Sequence, residues 1–511
     1  MSFFSVLFAT VLISVVSVWI YFKWKLNYWK RRGVHSLPTV VPLGNAFNMI
    51  TQKESMGEHI MHFYNEFKKK GVPYGGYYFF NRPIFIPVDL ELCKRIMITD
   101  FEYFQNHSMY LEKNNPLSGN IYALRSQEWK TMRNKLSPAF TVSKNKMMFP
   151  TITKSIDNLL DIIDELVQKN ELFDMYDYVA NMGLDVILSC AFGLDANVLK
   201  NPNSDLRKHA MGYFYPSFRD STMHLLGFLY PWILDFLHLS IVRQEITDFF
   251  FNLTKNTVEY REKNRIIRPD FMHLLLQIKN NAKISEDNIG SFEKFGTNDA
   301  LTMEELTAQS IIFMVGGYET SSATSTYLLY EFAHNEELQE KARQEVLKAL
   351  SDSNEELTYD LVKQLPYLQM CVDETLRKYP IGPVIMRDCN KDYKVPNSNV
   401  VIKKGTYVFI SALGIQRDAE YYPDPDKFDP ERFSEENLKK RSSTAYMPFG
   451  LGPRICIAYT FGTMQVKITV AKFLARYKFK LNPKTEYPLK ISPHSFPILP
   501  RNNVWLDLQK L

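Results

Sequence analysis

Patterns of apolar and polar positions divide the chain before any single residue is considered. Residues Phe3 to Phe22 are apolar apart from Ser and Thr and carry no charge. A run of that length crosses a bilayer as one helix. From Tyr74 to Val88 aromatic and β-branched residues surround Asn81, Arg82 and Pro83, which predicts two strands joined by a turn. A loop over 101–120 ends in a polar Asn/Pro/Ser/Gly cluster, and a helix begins near Ser126. Residues 211–239 are unusually apolar, but Pro216 and Pro231 break the period and argue against one core helix. Short packed helices and an apolar roof lying on a membrane both fit this stretch. Between 278 and 300 the chain turns polar (Lys279, Asn280, Asn281, Lys283, Glu286, Asp287) and reads as a solvated loop. Thr302 and Glu305 form a capping-box pattern that opens a helix to about His334. From Ile311 to Leu329 that helix is apolar or small nearly all round, as in a helix through a core. A last apolar helical run extends from Ile457 to about Phe479.

With 511 residues the chain has ample length for a large core, and length alone allows two to four domains. Its 61 basic and 56 acidic residues give a net charge of +5, too mild to suggest nucleic acid. Cysteines stand at 93, 190, 371, 389 and 456, an odd number without short paired spacing. Neither a disulfide framework nor a zinc site is indicated, and a reducing compartment suits the body of the chain. Lys23, Lys25, Lys30, Arg31 and Arg32 follow the first apolar run, and positive charge on that flank keeps it in the cytosol. The run is long and no small-residue cleavage pattern follows, which favours an anchor over a cleaved signal. Trp19, Trp24 and Trp29 suit the membrane interface. The prolines of the stretch Pro38 to Gly44 favour an extended, stiff connector.

Candidate chemistry lies at a few places. The loop Pro448 to Ala458 is rich in Gly and Pro and delivers Cys456 to the start of the last helical run. There, unpaired N–H groups and the helix dipole favour a thiolate. Gly450 and Gly452 make half of a dinucleotide fingerprint, but the third glycine and a preceding βαβ pattern are missing. Gly316 and Gly317 sit inside the central helix, where each costs about 1 kcal/mol relative to Ala, so they need a packing or functional reason. Glu319 and Thr320 follow them. Trp129 and Arg133 lie four apart on one helix face, and Glu374 and Arg377 three apart on another. The Glu-x-x-Arg spacing also occurs at Glu262/Arg265 and Glu340/Arg343. Singly, these features have ordinary explanations: a buried free cysteine, a kinked core helix, surface stacking of Trp on Arg.

Together they carry a resemblance. Phe449-x-x-Gly452-x-Arg454-x-Cys456 resembles the haem-binding loop of the cytochrome P450 family. That resemblance implies that the Cys456 sulfur is the axial ligand of the iron of haem b, that Arg454 meets a haem propionate and that Phe449 shields the sulfur. One departure is Ala458, where the family usually has Gly, which puts haem seating in question. Gly316-Gly317-Tyr318-Glu319-Thr320 resembles the oxygen-activation motif, implying room for oxygen at the glycine and a proton relay through Glu319 and Thr320. Pro430-Glu431-Arg432-Phe433 resembles a second arginine element and selects Glu374, Arg377 and Arg432 as a buried network bracing the haem loop. By the same resemblance Trp129, Arg133 and Arg387 contact propionates, while 101–120, Pro383 to Met386 and Phe496 to Leu499 border the substrate pocket. The proline segment resembles the family's hinge.

The elements occur in family order from 38 to 499, and look most like the microsomal group that includes vertebrate family 3 and its invertebrate relatives. The implied fold is mainly α with small β-sheets, one large haem-binding domain. Its parts are an anchor (1–22), a linker (23–50) and a catalytic domain (51–511). The implied activity is an endoplasmic-reticulum monooxygenase that inserts one oxygen atom of O2 into apolar small molecules such as xenobiotics, steroids or fatty acids. The other atom leaves as water. Electrons come from NADPH through a separate flavoprotein reductase, because the chain has no nucleotide-binding unit of its own, with cytochrome b5 as an assisting donor. Lys439, Lys440 and Arg441 either dock an acidic donor or form a solvated loop. A haem-thiolate isomerase or dehydratase is disfavoured by the intact Glu319/Thr320 pair. An inactive haem-binding protein has only Ala458 in its favour.

Overall fold

The computed structural model describes residues 3–112, 115–215, 217–280, 300–353 and 356–511. Helices dominate it, beside three small sheets. β1 (Tyr74–Phe79) and β2 (Arg82–Pro87) pair antiparallel from Tyr74↔Pro87 to Phe79↔Arg82. The turn is therefore Phe80–Asn81, earlier than composition suggests, with Phe80 at φ 53°. Arg82 and Pro83 already belong to the strand, because the hairpin needs only two residues to reverse. β3 (Val384–Asp388) follows, then β4 (Tyr393–Lys394) paired with β5 (Val401–Ile402). β6 (Tyr407–Ser411) lies between β2, to which it is parallel, and β3, to which it is antiparallel. β7 (Tyr477–Leu481) pairs with β8 (Leu506–Lys510).

The helix Met303–His334 runs through the core, opened by the expected capping box of Thr302 and Glu305. Helix Met175–Phe192 lies close along it. A Cβ at Gly317 would come within 2.3 Å of Ile187, and one at Gly183 within 2.2 Å of the Ser322 hydroxyl. Gly317 is thus a packing glycine. On another side lies helix Tyr459–Arg476, with Phe461 and Phe313 rings 5.4 Å apart. That helix ends at Arg476, short of Phe479. Tyr477 and Phe479 bury alternate positions in β7 instead, because the apolar period switches from helical to two. Helix Ser126–Leu136 starts where the pattern predicts. Helix Phe271–Lys279 extends into the polar stretch, of which 281–299 lies outside the described residues.

The apolar stretch 211–239 holds parts of three short helices, Asp205–Phe214, Phe218–Leu229 and Pro231–Leu237, with Pro231 in the first turn. Phe228 packs against Phe79 and Tyr407, but Phe218 (91%) and Phe236 (77%) are exposed, and so is Trp232. The helices are short and packed, and they leave an apolar edge in solvent. Helix Phe3–Lys25 buries no residue. Trp19 and Trp24 are exposed on it, whereas Trp29 is fully buried in the globular part. Trp29 is therefore a core residue and does not belong to the membrane interface.

Candidate functional site

The cysteine loop is closed on itself. The Cys456 N–H donates to the Phe449 carbonyl (2.9 Å), Ile455 to Gly452 (3.0 Å) and Gly450 to Met447 (3.0 Å). Gly450 and Gly452 adopt φ 74° and 73°, and a Cβ at Gly452 would stand 2.1 Å from the Met97 carbonyl. Only glycine fits that position. Ala458 caps the helix at φ −103° and ψ 19°, which alanine adopts without the strain of a positive φ, so the extra methyl asks nothing unusual of the backbone. Four cysteines are buried, whereas Cys456 keeps accessible surface. Burial of its surroundings nevertheless pushes the thiol up, against the Ala458 N–H and the Arg133 charge. A cation bound at the sulfur would favour the thiolate.

Beside the loop stands a cluster of arginines. Arg133 donates to the Ile455 carbonyl at 2.9 Å. One helical turn earlier, Trp129 lies under the Arg454 guanidinium, 4.1 Å from ring centroid to carbon. Arg454 donates to the carbonyls of Gln105 (2.8 Å), Ile121 (3.1 Å) and Leu124 (2.7 Å). Arg387, buried on β3, donates to the Met386 carbonyl at 2.9 Å, while its Nε has no partner. Burial, with the Arg387 charge added, brings Arg454 down to about 9, and burial brings Arg387 to about 10. The neighbouring Asp388 is raised by burial to about 6 and lies 3.7 Å from Arg125. His107 and Tyr122 join the cluster: His107 Nδ1 lies 3.0 Å from the Tyr122 carbonyl. Burial and both arginines hold that imidazole well below its ordinary range, hence neutral. Surplus guanidinium charge with an unused N–H is a donor set for carboxylates.

On the central helix, between Leu306 and Ala333, accessible surface is confined to Ile312, Val315, Gly316, Gly317 and Thr320. Spacings of three and four put Ile312, Val315, Gly316 and Thr320 on one face. A Cβ at Gly316 would meet nothing within 4 Å. The Thr320 hydroxyl donates to the Gly316 carbonyl. Glu319 is buried, and burial raises its carboxyl to about 7 although a hydrogen bond with the Tyr215 phenol pulls it down. Ile498 and Leu499 are buried against the Ile381 region, while Phe496 is exposed.

The bracing network has the expected members. Arg377 donates to both oxygens of Glu374 (2.6 and 2.9 Å), and both side chains are fully buried. Arg432 Nε lies 3.4 Å from Glu374. Arg377 also reaches the Gln416 carbonyl (2.9 Å), and the Gln416 side chain accepts from the Met447 N–H (2.8 Å) at the root of the cysteine loop. The competing Glu340–Arg343 pair is half exposed on its Glu340 side, and Glu262 pairs with Lys279. Of the basic run, Lys439 and Lys440 are exposed, but Arg441 is stacked over Tyr422 (4.3 Å) and Phe433 (5.1 Å). Gln416, Tyr122, Arg125 and Tyr215 have no sequence signal: they reach the site from loops or distant elements where no spacing marks them.

An accessible cysteine, buried arginines short of a counter-anion and a central helix opened by Gly316 suit an iron porphyrin with carboxylate arms. That combination defines a haem-thiolate oxygenase. The family model described as Cytochrome P450 matches residues 37–506, and the chain belongs to the cytochrome P450 family. It is 38% identical to Cytochrome P450 6A1 of Musca domestica over 97% of this chain and 96% of the relative. With Cytochrome P450 6a2 of Drosophila melanogaster it shares 34% over 99% and 100%, and with Cytochrome P450 6k1 of Blattella germanica 35% over 94% and 92%. The protein is thus a monooxygenase that binds haem through a cysteine thiolate and works with a redox partner on small molecules.

Proposed function

We propose that this chain is a membrane-anchored monooxygenase of the endoplasmic reticulum. It hydroxylates or otherwise oxygenates apolar compounds with NADPH electrons delivered by a separate flavoprotein reductase, with cytochrome b5 assisting. The observation that carries this reading is the apolar and small face Ile312, Val315, Gly316, Thr320 on an otherwise buried helix, which gives an apolar substrate space beside a hydroxyl and a buried acid. Residues 1–22 form the anchor, 23–50 the linker and 51–511 the catalytic domain.

Cys456 would hold the iron of a bound haem, Phe449 would cover the sulfur, and Arg454, Arg387, Trp129 and Arg133 would receive the carboxylate arms. Haem bound there supplies the redox chemistry that splits dioxygen. The chain's own residues manage protons. The Thr320 hydroxyl hydrogen is committed to the Gly316 carbonyl, so its lone pairs are presented to a water or an incoming hydrogen-bond donor. Glu319, held near neutrality, stores a proton it can release at physiological pH. The stoichiometry is RH + O2 + NADPH + H+ → ROH + H2O + NADP+. Exposed Lys439 and Lys440, with Lys130 on the helix that carries Arg133, support docking of an acidic donor near the cysteine loop. Arg441, held between aromatic rings, is scaffold.

The test is turnover of a panel of apolar compounds with NADPH, reductase and isotopically labelled dioxygen. One labelled atom per product molecule is expected, with no product when the reductase is omitted. Unlabelled product formed without reductase contradicts the reading.

A further inference from the structure

Beyond the open face at Gly316 and Thr320 the central helix carries tyrosines where phenylalanine would pack as well. Tyr327, seven residues after Thr320 and so on the same face, about 10 Å further along the axis, is fully buried. Its hydroxyl has no hydrogen-bond partner among the described residues, and neither has that of Tyr176, which packs against the same apolar cluster. A buried phenol without a partner is less stable than a phenylalanine of the same shape, so packing does not account for Tyr327. Tyr379 lies on it ring to ring, with centroids 4.2 Å apart and planes 1° from parallel. Unlike Tyr327, Tyr379 has a base. Its hydroxyl donates to Glu331 Oε1 at 2.5 Å, and Lys378 Nζ donates to the same oxygen at 2.8 Å. Glu331 is buried, one helical turn after Tyr327. On that turn the Tyr330 hydroxyl accepts from the Leu489 N–H (3.2 Å), and nearby the exposed Tyr487 stacks on His334 (4.2 Å). Aromatic rings thus lead from the face that carries Thr320 to the surface.

We propose that Tyr327 and Tyr379 form an electron relay that draws off the oxidising equivalents left at the haem when dioxygen is split and no substrate is oxidised, with Tyr379 as the site of the radical and Glu331 as its base. A phenol gives up an electron readily only when its proton can leave as well. Tyr327 has no acceptor, so it passes the electron on, and the radical settles on Tyr379. In each step one electron leaves Tyr379 through the Tyr327 ring, and the O–H proton moves to Glu331 Oε1. Two such steps, with two protons from solvent, carry the unused oxygen atom to water. Each radical is repaired by one electron from a small thiol, entering at the Tyr487 end, while Glu331 returns the proton. The thiols release their protons and pair as a disulfide, so the balance is O + 2 RSH → H2O + RSSR.

In the experiment, full-length substrate-free holoenzyme is mixed with a peracid, which supplies oxidising equivalents without dioxygen or reductase, and is frozen for electron paramagnetic resonance. Wild type, Tyr327→Phe and Tyr379→Phe are compared, with ring-deuterated tyrosine to identify the signal. A tyrosyl radical is expected in wild type, with the g-tensor of a phenoxyl that accepts a hydrogen bond, now from protonated Glu331. It should be absent in Tyr379→Phe and at least about tenfold lower in yield in Tyr327→Phe, because the relay has lost its middle step. Haem bleaching should be faster in both variants, and glutathione should slow it in wild type. Tyr327→Phe removes only an unpartnered hydroxyl, so its unfolding midpoint should equal or exceed that of wild type, and it keeps the test open if Tyr379→Phe folds poorly. The proposal is overturned by a wild type without a tyrosyl radical, by a radical free of hydrogen bonding, or by one that survives Tyr379→Phe or keeps its full yield in Tyr327→Phe. Wild-type bleaching that glutathione does not slow overturns the repair step and the protective role with it.

Discussion

Glu319 and Arg387 are both buried ionisable groups, and the protein handles them in opposite ways. Glu319 is held in its neutral form, its carboxyl raised by burial from 4.5 to about 7. Between those values the native protein binds a proton that the unfolded chain releases, so this group makes stability fall as pH rises through the window and level off above it. Glu319→Gln removes that slope, which thermal unfolding at a series of pH values will register. The acid form is also the proton donor. Wild-type turnover should therefore decline above pH about 7, and Glu319→Gln should lose about a hundredfold in product per NADPH consumed, without that pH dependence. Arg387 stays charged with its Nε unused, so its cost is offset only when an anion arrives. Arg387→Ala should lose haem at least about tenfold faster, followed by transfer to a competing haem acceptor, while unfolding of the haem-free protein moves little or upward.

The elements bring these residues into register, and the brace is the part most exposed to a single change. Glu374→Ala leaves Arg377 buried without its partner, which costs roughly 3–5 kcal/mol and releases the loop through Gln416 and Met447. Low haem content and an unfolding midpoint well below wild type are expected, and normal haem occupancy at normal stability would contradict the bracing role. Much of this scale was legible in the sequence. The capping box of Thr302 and Glu305 and the strand pair at Tyr74 to Val88 are local patterns, and local interactions decide them. The end of the last helix was not, because Tyr477 and Phe479 suit an apolar helix face as well as a strand, and only pairing with β8 decides. Glu374–Arg377 was separable from its two look-alikes by a downstream motif, and burial supplies the physical difference. Gln416, Tyr122 and Tyr215 act through contacts distant in sequence, which no spacing reports. Trp29 carried a signal that pointed the wrong way: a tryptophan beside a basic, apolar run resembles an interface anchor until Gly76 is seen beneath it.

At the scale of the whole molecule, an apolar helix with no buried residue and an exposed apolar edge stand out among the described residues. Deletion of residues 3–22 should weaken flotation with lipid vesicles without abolishing it. Replacing Phe218, Trp232 and Phe236 by Ser in that truncated protein should weaken the residue of binding by about tenfold or more per ring. The haem spectrum should survive both changes, because the cysteine loop, the arginine cluster and the central helix lie elsewhere. Everything said about activity depends on the ligand at the heart of that body. The most direct measurement is the carbon monoxide difference spectrum of the dithionite-reduced protein, wild type beside Cys456→Ala. A thiolate-type Soret shift in the wild type that vanishes in the variant is predicted. A histidine-like shift in the wild type, or a thiolate-type shift that persists without Cys456, would contradict the account.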